Sequence, residues 1–177
     1  MRAAPASLAE APAVMEILAL CRDQMRAQGI GQWDDIYPTL PVVEADARSH
    51  SLFVVRKDRR CIAAVGLNDT QPDAYHTVAW RHVAGRTLAV HRLCVHPRWQ
   101  RQGVAYELMA FADDFARTHG FAAIRLDTYT GNPAAMALFE RCGYQRVGEV
   151  MFPRRPLPFA CYEKGIRSTE PGRSIAT

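Results

Sequence analysis

Apolar residues recur with a helical period near the start of the chain. Between residues 7 and 28 they fall at i, i+3, i+4, i+7 and i+11, which places one apolar stripe along a helix: Val14, Ile17, Leu18, Cys21 and Met25. Ser7 and Glu10 have the spacing of a capping box, and Gly29 follows as a helix terminator. The pattern therefore predicts a first long helix over residues 7–28.

The same period returns twice later in the chain. Residues 103–119 are predicted to form a helix whose inward face consists of Val104, Leu108, Phe111, Phe115 and Ala116. In residues 132–142 an Asn-Pro pair supplies a cap and a first-turn proline, and the buried stripe is Ala135, Leu138, Phe139 and Cys142. A shorter helix is predicted between residues 41 and 49.

Apolar runs of strand length alternate with these helices. The predicted strands are Ser51–Arg56, Cys61–Leu67, Leu88–Val95, Phe121–Thr128, Tyr144–Val150 and Ala160–Ile166. A charged turn joins the first two as a hairpin, whereas residues 68–87 have no clear period. This order predicts an α/β (α+β) fold with a mixed sheet, in a single domain over residues 1–166. Residues 167–177 are expected to form a flexible tail.

The composition narrows the class of protein. The chain has 177 residues, 49% of them hydrophobic and 23% charged, which excludes disorder, collagen-like repeats and a coiled coil. No apolar run approaches the length of about 18 residues that a membrane helix needs, and no signal-peptide region stands out. We therefore expect a cytoplasmic protein with no membrane association.

Charge and cysteine usage exclude further classes. The net charge of +4 comes from 22 Lys and Arg against 18 Asp and Glu, without a basic stripe interleaved with aromatics. An anionic small ligand fits this balance at least as well as a nucleic acid, and no nucleic-acid partner is expected. The five cysteines are scattered, and the histidines form no ligand-spaced cluster. Neither a disulfide framework nor a metal site is expected.

The most informative stretch is 91–105, HRLCVHPRWQRQGVA. An apolar strand leads into a loop, and the loop enters an amphipathic helix at Gly103. Backbone N–H groups at such a helix start, together with the helix dipole, bind phosphate, and Arg98 and Arg101 add positive charge. The pattern predicts a pyrophosphate site, with an ordinary strand-to-helix turn as the alternative.

Three motifs carry a resemblance to a known family. Gln100-x-x-Gly103-x-Ala105 resembles the acyl-CoA loop of the GNAT N-acetyltransferase superfamily. The segment 132–144, NPAAMALFERCGY, resembles that family's N-x-x-A-x-x-L-Y-E-x-x-G-F, and 160–164 resembles its final strand. The loop 29–38 looks like that of a group of small bacterial members with no assigned substrate. The resemblance covers roughly residues 2–166.

The resemblance implies a fold and a ligand. The GNAT-like fold is a central twisted, largely antiparallel sheet that splays at the cofactor site and is flanked by about four helices. The ligand is acetyl-CoA as acyl donor, without a metal. The implied cofactor-binding residues are Leu93, Cys94, Val95, Gln100, Arg101, Gln102, Gly103, Val104, Ala105, Tyr106, Asn132 and Phe139. For Asn132 a plain helix cap is an alternative, and both roles can hold together.

Acetyl transfer to an amine requires a neutral nitrogen. Holding an amine of pKa about 10.4 neutral at pH 7 costs about 4 to 5 kcal/mol, so a base should matter more than an acid. His91 is the predicted base, because strand alternation places it on one face with Leu93 and Val95. Its surroundings resemble those of arylalkylamine N-acetyltransferases, where a histidine helps to remove the amine proton through water. A merely packed strand histidine is the alternative.

Phe139 is a departure from the family pattern. Many members have a tyrosine there that protonates the departing thiolate, and phenylalanine has no proton to give. A thiolate of pKa about 8.5 leaves unassisted at pH 7 at a cost of only about 2 kcal/mol. Alternatively Tyr129 or Tyr144 substitutes, or the activity is weak. Tyr129, at a strand end, is the predicted second catalytic residue.

The loop after the first helix is expected to form one wall of the acceptor cleft. Its predicted substrate-binding residues are Gln32, Trp33, Asp35 and Tyr37. The two aromatic rings would grip an apolar amine, and Asp34 or Asp35 would attract its charge. In the alternative, Trp33 only anchors the loop to the core. Arg154 and Arg155 are expected in a solvated turn, although they could meet an acidic acceptor.

These observations predict an acetyl-CoA-dependent N-acetyltransferase that acts on a small-molecule amine by direct attack in a ternary complex. One alternative is acetylation of protein lysines or N-termini. A second, of another class, is a non-catalytic acyl-CoA-sensing module, which Phe139 keeps open. A nucleotide-binding domain on the same loop is a further rival. Association as a homodimer through a sheet edge is compatible with this fold, and no residue decides it.

Overall fold

Seven strands form one sheet in the computed structural model, which describes residues 2–82 and 84–166. The strand order is β1-β2-β3-β4-β5-β7-β6. The strands are β1 Ala3–Pro5, β2 Leu52–Lys57, β3 Arg60–Asn68, β4 Thr87–Val95, β5 Ala123–Tyr129, β6 Gln145–Val150 and β7 Phe159–Gly165. Only β4 and β5 run parallel, and every other neighbouring pair is antiparallel. The predicted mixed, largely antiparallel sheet is confirmed.

Four α-helices connect the strands: α1 Ala11–Ala27, α2 Leu40–Arg48, α3 Val104–Thr118 and α4 Pro133–Arg141. The predicted first helix opens with a 3-10 turn, Leu8–Glu10, before α1 begins. The Ser7 backbone N–H donates to the Glu10 carboxylate at 2.8 Å, as the capping-box spacing predicted. The hairpin β2–β3 and the short helix α2 also lie where the pattern placed them. Residues 167–177, for which a flexible tail is predicted, lie outside the described residues.

The helices cover the two faces of the sheet. Helices α3 and α4 pack on one face, where Leu108, Met109 and Phe139 join the largest core cluster. Helices α1 and α2 cover the other face over β2–β4. The adjoining part of that second face, over β5–β7, is covered by residues 70–82, which include a 3-10 turn, Asp73–Thr77. The sheet is thus buried on both sides.

Some expectations about burial and strands are wrong. Strand β1 was not predicted, because three residues carry no detectable period. Of the stripe predicted for α4, only Phe139 is fully buried, and Phe111 and Phe115 in α3 are half-buried. The α3 positions that fill the core between them are Met109 and Ala112. A helix packed diagonally on a sheet buries a different set of positions than its central stripe alone.

Strands β4 and β5 separate after a short paired stretch. Their register pairs Thr87 with Ala123, Leu88 with Ile124 and Ala89 with Arg125. Beyond Ala89, β4 continues beside β3 and β5 continues beside β7, so a wedge opens between them. The facing backbone edges of both strands have no strand partner there. This is the splay that the resemblance implied.

A bulge in β4 changes the direction of its side chains. Ala64 pairs with Cys94, but Gly66 pairs with His91, so one extra residue is accommodated on β4, and Arg92 has φ of 49°. A Cβ on Gly66 would lie 3.2 Å from the His91 Cβ. Glycine at this position therefore leaves room for the side chains of His91 and Arg92 beside β3. His91 therefore does not share a face with Leu93 and Val95. That prediction is wrong because the bulge interrupts alternation.

Candidate active site

Two residues of the loop at the start of α3 have positive φ angles. Gly103 caps the helix with φ of 85°, and Arg101 has φ of 58°. A Cβ at Gly103 would meet nothing within 4 Å, so the left-handed conformation and not crowding requires glycine. Residues 101–103 are exposed. The exposed residues 101–103 therefore lead directly into α3, whose first N–H groups have no partner within the helix.

Two glutamines brace this loop through their side chains. Gln100 Nε2 donates to the Val95 carbonyl at 3.0 Å, and Gln102 Nε2 donates to the Arg98 carbonyl at 2.8 Å. The Cys21 thiol on α1 also donates to the Val95 carbonyl at 3.2 Å. Both glutamine side chains thus bond within the loop and shape it.

A hydrogen bond joins Asn132, which follows β5, to Gln32 on the loop after α1. Asn132 Oδ1 accepts from the Ala135 N–H at 3.1 Å and so caps α4, while its Nδ2 donates to Gln32 Oε1 at 2.8 Å. Gln32 Oε1 also accepts from Thr128 Oγ1 at 3.3 Å. The structure thereby joins one residue predicted for the cofactor to one predicted for the acceptor.

Tyr129 and Phe139 lie in different environments. Tyr129 is buried at the end of β5, with its ring centroid 5.3 Å from that of Phe159 and its hydroxyl beside Gly31. Phe139 lies in the core against Tyr144 and Tyr162. The Tyr144 hydroxyl donates to Asp113 on α3 at 3.1 Å, and burial raises its pKa well above the usual range. Of the two tyrosines considered as acids, Tyr129 has the hydroxyl nearer the acceptor loop.

His91 is held by two acceptors on the β3–β4 connection. Its Nε2 lies 3.0 Å from Asn68 Oδ1 and 3.0 Å from the Thr70 carbonyl oxygen. Because a carbonyl can only accept, Nε2 carries the proton and the neutral ring has its lone pair on Nδ1. Burial, helped by the neighbouring Arg92 charge, lowers the pKa of His91 to about 4. His91 is therefore neutral at pH 7 but a weaker base than an ordinary imidazole.

Arginines neutralise the acidic residues of the acceptor loop. Asp34 pairs with Arg155 at 2.8 Å, and Asp35 pairs with Arg22 and Arg26 at 3.0 and 3.2 Å. The Arg155 side chain is only 8% exposed, so the expected solvated turn is wrong at this residue, because its guanidinium crosses to the other loop. Neither aspartate presents an unbalanced charge to an incoming amine.

The two aromatic residues of this loop point in different directions. Trp33 packs against the core beneath α1 and α2, as the anchoring alternative predicted. The Tyr37 hydroxyl accepts from Arg92 Nη1 at 2.8 Å, beside His91, and Tyr37 is 37% exposed. Tyr37 is therefore the ring of this wall that remains available to an acceptor.

The sequence that forms these features matches a known family. The features are the splayed parallel pair, the glycine-led helix start and the wall of loop residues. A profile described as Acetyltransferase (GNAT) family matches residues 13–144, which is most of the chain. The chain belongs to the GNAT acetyltransferase family.

Relatives in this family are distant. The chain is 24% identical to the N-acetyltransferase YesJ of Bacillus subtilis over 149 residues, 82% of each protein. It is 25% identical to a streptothricin acetyltransferase of Escherichia coli over 115 residues, 65% of this chain and 57% of that one. A match to the N-alpha-acetyltransferase RimI of Mycobacterium tuberculosis is 39% identical over 59 residues, 33% of this chain and 35% of the relative.

Solved structures share the fold of this GNAT domain. A GNAT-family acetyltransferase from Streptococcus agalactiae superposes with a TM-score of 0.80 at 21% identity, covering 94% of this chain and 96% of that one. YncA of Salmonella typhimurium, solved with its cofactor acetyl-CoA, gives a TM-score of 0.69 at 16% identity, covering 98% and 99%. At these identities the likeness concerns the fold.

Two polar pairs of the GNAT domain were missed by sequence reasoning. Arg92 forms an ion pair with Asp46 on α2, and both side chains are 11% exposed. The Tyr75 hydroxyl donates to Asp127 Oδ2 at 2.7 Å. The signal for the second pair is weak: Asp127 lies in a strand that also contains Arg125 and Thr128, and Tyr75 lies in the stretch without a period.

Two further properties concern ligands and membranes. Within residues 2–82 and 84–166, no group of three or more His, Cys, Asp or Glu side chains is arranged to hold a metal ion. Among the same residues, no helix is both long enough and apolar enough to cross a lipid bilayer.

Proposed function

We propose that this GNAT domain transfers the acetyl group of acetyl-CoA to a primary amine of a small molecule, by direct attack in a ternary complex. The observation that carries this proposal is the wedge between β4 and β5, which opens beside the exposed first turn of α3. An extended ligand arm can pair with the free edge of β4 while its phosphates meet backbone N–H groups and Arg101.

The residues present fit acetyl-CoA. The backbone of Leu93, Cys94 and Val95 borders the wedge, and the space above Gly103 is open. YncA, which has the same fold, is described with acetyl-CoA as its cofactor. When bound, acetyl-CoA supplies a thioester whose carbonyl carbon is open to a nucleophile. The amine nitrogen bonds to that carbon, the C–S bond breaks, and the electron pair leaves on sulfur.

A small-molecule acceptor is supported by how the cleft wall is held. The loop carrying Gln32 is fixed to α4 by Asn132, to β4 by Tyr37 and to the β6–β7 loop by Asp34. A wall fixed at three points keeps one shape, which favours an acceptor small enough to fit it without displacing the loop. The relative from Escherichia coli that acts on streptothricin is consistent with a small acceptor.

A protein N-terminus is the second candidate acceptor. The match to a RimI N-alpha-acetyltransferase favours it, as do apolar side chains exposed at the rim on the same loops, Ile36 at 61% and Met151 at 58%. Steady-state assays with a set of small amines and a set of N-terminal peptides distinguish the two. A higher kcat/KM for any peptide than for every small amine would favour the second candidate.

For catalysis we propose His91 and Tyr129 as contacts of the reacting groups. His91 borders the wedge on β4 and Tyr129 ends β5 on the opposite side. With Phe139 at the position of the usual acid, the thiolate leaves without help or takes a proton from Tyr129. Release of thiol that depends on added amine would exclude a non-catalytic sensing module.

Isothermal titration calorimetry with acetyl-CoA, CoA and ATP tests the cofactor. Gly103→Glu places a carboxylate where the phosphates would bind, and Gly120→Glu is its matched control, because Gly120 also has positive φ and open space but follows α3. We expect binding of both CoA species but not ATP, loss of binding in Gly103→Glu and retention in Gly120→Glu. Binding of ATP alone, or equal binding by both variants, would overturn the proposal.

A further inference from the structure

Asp127 lies where the acceptor must approach the wedge. It is on β5, two residues past Arg125, the last residue that pairs with β4. Ile124 and Leu126 point into the core beneath α3 and α4, whereas Asp127 meets Tyr75 on the opposite face. His91 and Arg92 reach the same opposite face from β4. Asp127 is half-buried, so it is not sealed in the core as Ile124 and Leu126 are.

The charge of this carboxylate is not balanced by a cation. Within residues 2–82 and 84–166, Asp127 forms no ion pair, and its one hydrogen bond is from Tyr75. Neighbouring acidic groups differ, since Asp34, Asp46 and Glu163 each pair with an arginine. Burial raises the pKa of Asp127 to about 6, and the Tyr75 hydrogen bond opposes that rise. A half-buried carboxylate with one neutral donor is a site for an ammonium group.

Titratable and charged groups surround Asp127 on every packed element. On the neighbouring strand β7, Cys161 pairs with Asp127, and burial together with the charges of Asp127 and Glu149 raises the pKa of that thiol to about 12. Arg125, on the same strand, is already bonded to Glu163, Gln71 and the His82 carbonyl. The remaining groups are Tyr75 on the 3-10 turn, Glu149 on β6 and His91 across the wedge. None of them supplies a free cation.

We propose that Asp127 binds the ammonium group of the acceptor and accepts its proton, and that Tyr75 is a positioning residue that fixes one carboxylate oxygen. This inference rests on the proposed acetyltransferase function and names its acceptor as a cationic alkylamine. One ammonium proton passes to Asp127 and from there to solvent. A second passes to the departing sulfur when the C–N bond forms and the C–S bond breaks, and the third stays in the amide product.

The proposal makes the β3–β4 connection part of the acceptor site. Tyr75 is held there by its own contacts, since Trp80 Nε1 donates to the Tyr75 carbonyl at 2.9 Å and the two ring centroids are 4.9 Å apart. Trp80 in turn lies under the Arg125 guanidinium at 4.4 Å. Packing thus directs the tyrosine hydroxyl at Asp127 Oδ2, and the other carboxylate oxygen has no hydrogen-bond partner among the described residues.

The test compares Asp127→Asn, Tyr75→Phe and the control Asp114→Asn, an exposed carboxylate on α3. Each is assayed with a primary alkylamine and with an aromatic amine, which is already neutral at pH 7, and its acetyl-CoA affinity is measured by calorimetry. We expect Asp127→Asn to lower kcat/KM for the alkylamine by about 10²-fold or more, as loss of a general base does. The aromatic amine should lose less than about tenfold, and acetyl-CoA affinity should not change.

The pH profile separates a positioning role from a structural one. In the wild type, kcat/KM for the alkylamine should fall below about pH 6, where Asp127 becomes protonated. Tyr75→Phe removes a donor to the charged carboxylate, so the acid limb should move to higher pH. A structural defect alone would lower activity without moving that limb.

Several results would overturn the inference. An Asp127→Asn enzyme with unchanged kcat/KM for the alkylamine, or one that loses both amines equally, would do so. If Asp127→Asn does not fold, the inference would be overturned by a Tyr75→Phe enzyme whose acid limb of kcat/KM lies at the same pH as in the wild type. If either result is found while the wild type binds acetyl-CoA and acetylates amines, the role of Asp127 is overturned but the proposed acetyltransferase function is not. A wild type that acetylates no amine overturns both.

Discussion

Asn132 Nδ2 donates to Gln32 Oε1 at 2.8 Å, and this bond connects the helix start of α4 to the loop after α1. The same asparagine caps α4 through its Oδ1. Substitution of Asn132 and substitution of Gln32 should therefore have different effects on stability and on acceptor binding. Asn132→Ala should lower the free energy of unfolding by about 1 kcal/mol, since a cap is lost.

Gln32→Ala keeps the cap and removes the acceptor of the hydrogen bonds from Asn132 and Thr128. We expect the free energy of unfolding to fall by about 0.5 kcal/mol, less than in Asn132→Ala, which loses the cap as well as the bond to Gln32, and we expect KM for the acceptor to rise. Urea denaturation and steady-state kinetics of both variants check this. Equal losses of stability in the two would contradict the assignment of the cap to Asn132.

The Arg92–Asp46 pair should matter far more for stability than other ion pairs on α2. Both side chains are almost buried, so Arg92→Ala leaves a carboxylate without its cation and should cost about 3 to 5 kcal/mol of unfolding free energy. Arg48→Ala is the control, because Arg48 pairs with Glu44 at the surface, with the arginine 58% exposed. Its loss should be below about 0.5 kcal/mol. Similar losses in the two variants would contradict this ranking.

The ion pair between Glu10 and Arg56 should make the free energy of unfolding depend on pH in the acid range. The Arg56 guanidinium, bonded to Glu10 at 2.6 Å, lowers the pKa of that carboxyl to about 2 from 4.5. A lowered pKa means that the unfolded chain binds the proton first. The stabilisation is therefore full above pH 4.5 and is lost as the pH falls toward 2.

Glu10→Gln should flatten that part of the curve. Chemical denaturation at several pH values between 5 and 2 measures the slope for the wild type, for this variant and for the control Glu44→Gln, whose carboxylate pairs with the exposed Arg48 on α2. An acid slope that is the same in wild type and Glu10→Gln would disprove the contribution.

His91 should make the free energy of unfolding depend on pH in a second, higher pH range. Its pKa is lowered to about 4 from 6.5, so folding is favoured above pH 6.5 and this contribution is lost as the pH falls toward 4. An NMR titration should show the His91 ring neutral down to about pH 4. An acid limb of kcat/KM near 4 would favour His91 as the base, whereas a limb near 6 favours Asp127.

Local pattern was enough to predict most of the fold. The helices from Val14 to Met25 and from Val104 to Ala116, and the hairpin around residues 57–60, follow from apolar period and turn chemistry. The glycine-led start of α3 was also predictable, because the phosphate-loop pattern is confined to a few neighbouring residues. Features whose partners are close in the chain could be predicted.

Features that depend on distant partners could not. Asp34 and Arg155 are 121 residues apart in the chain, and Tyr75 and Asp127 are 52 apart. Residues 69–82 have no period because they are held by contacts with Arg125 and Asp127 on β5 and not by a long regular helix or strand. The bulge at Arg92 leaves no mark in the apolar pattern, so alternation assigned His91 to the wrong face.

The short pairing between β4 and β5 also bears on aggregation. A free strand edge at the rim of a sheet is open to pairing with another polypeptide. Here the unpaired edges of β4 and β5 lie inside the sheet, with α1 packed on one side of β4 and α3 on the other. The two helices restrict the approach of another strand with side chains on both faces. Unpaired backbone in this position therefore carries a smaller risk of aggregation than the same length of backbone at the rim.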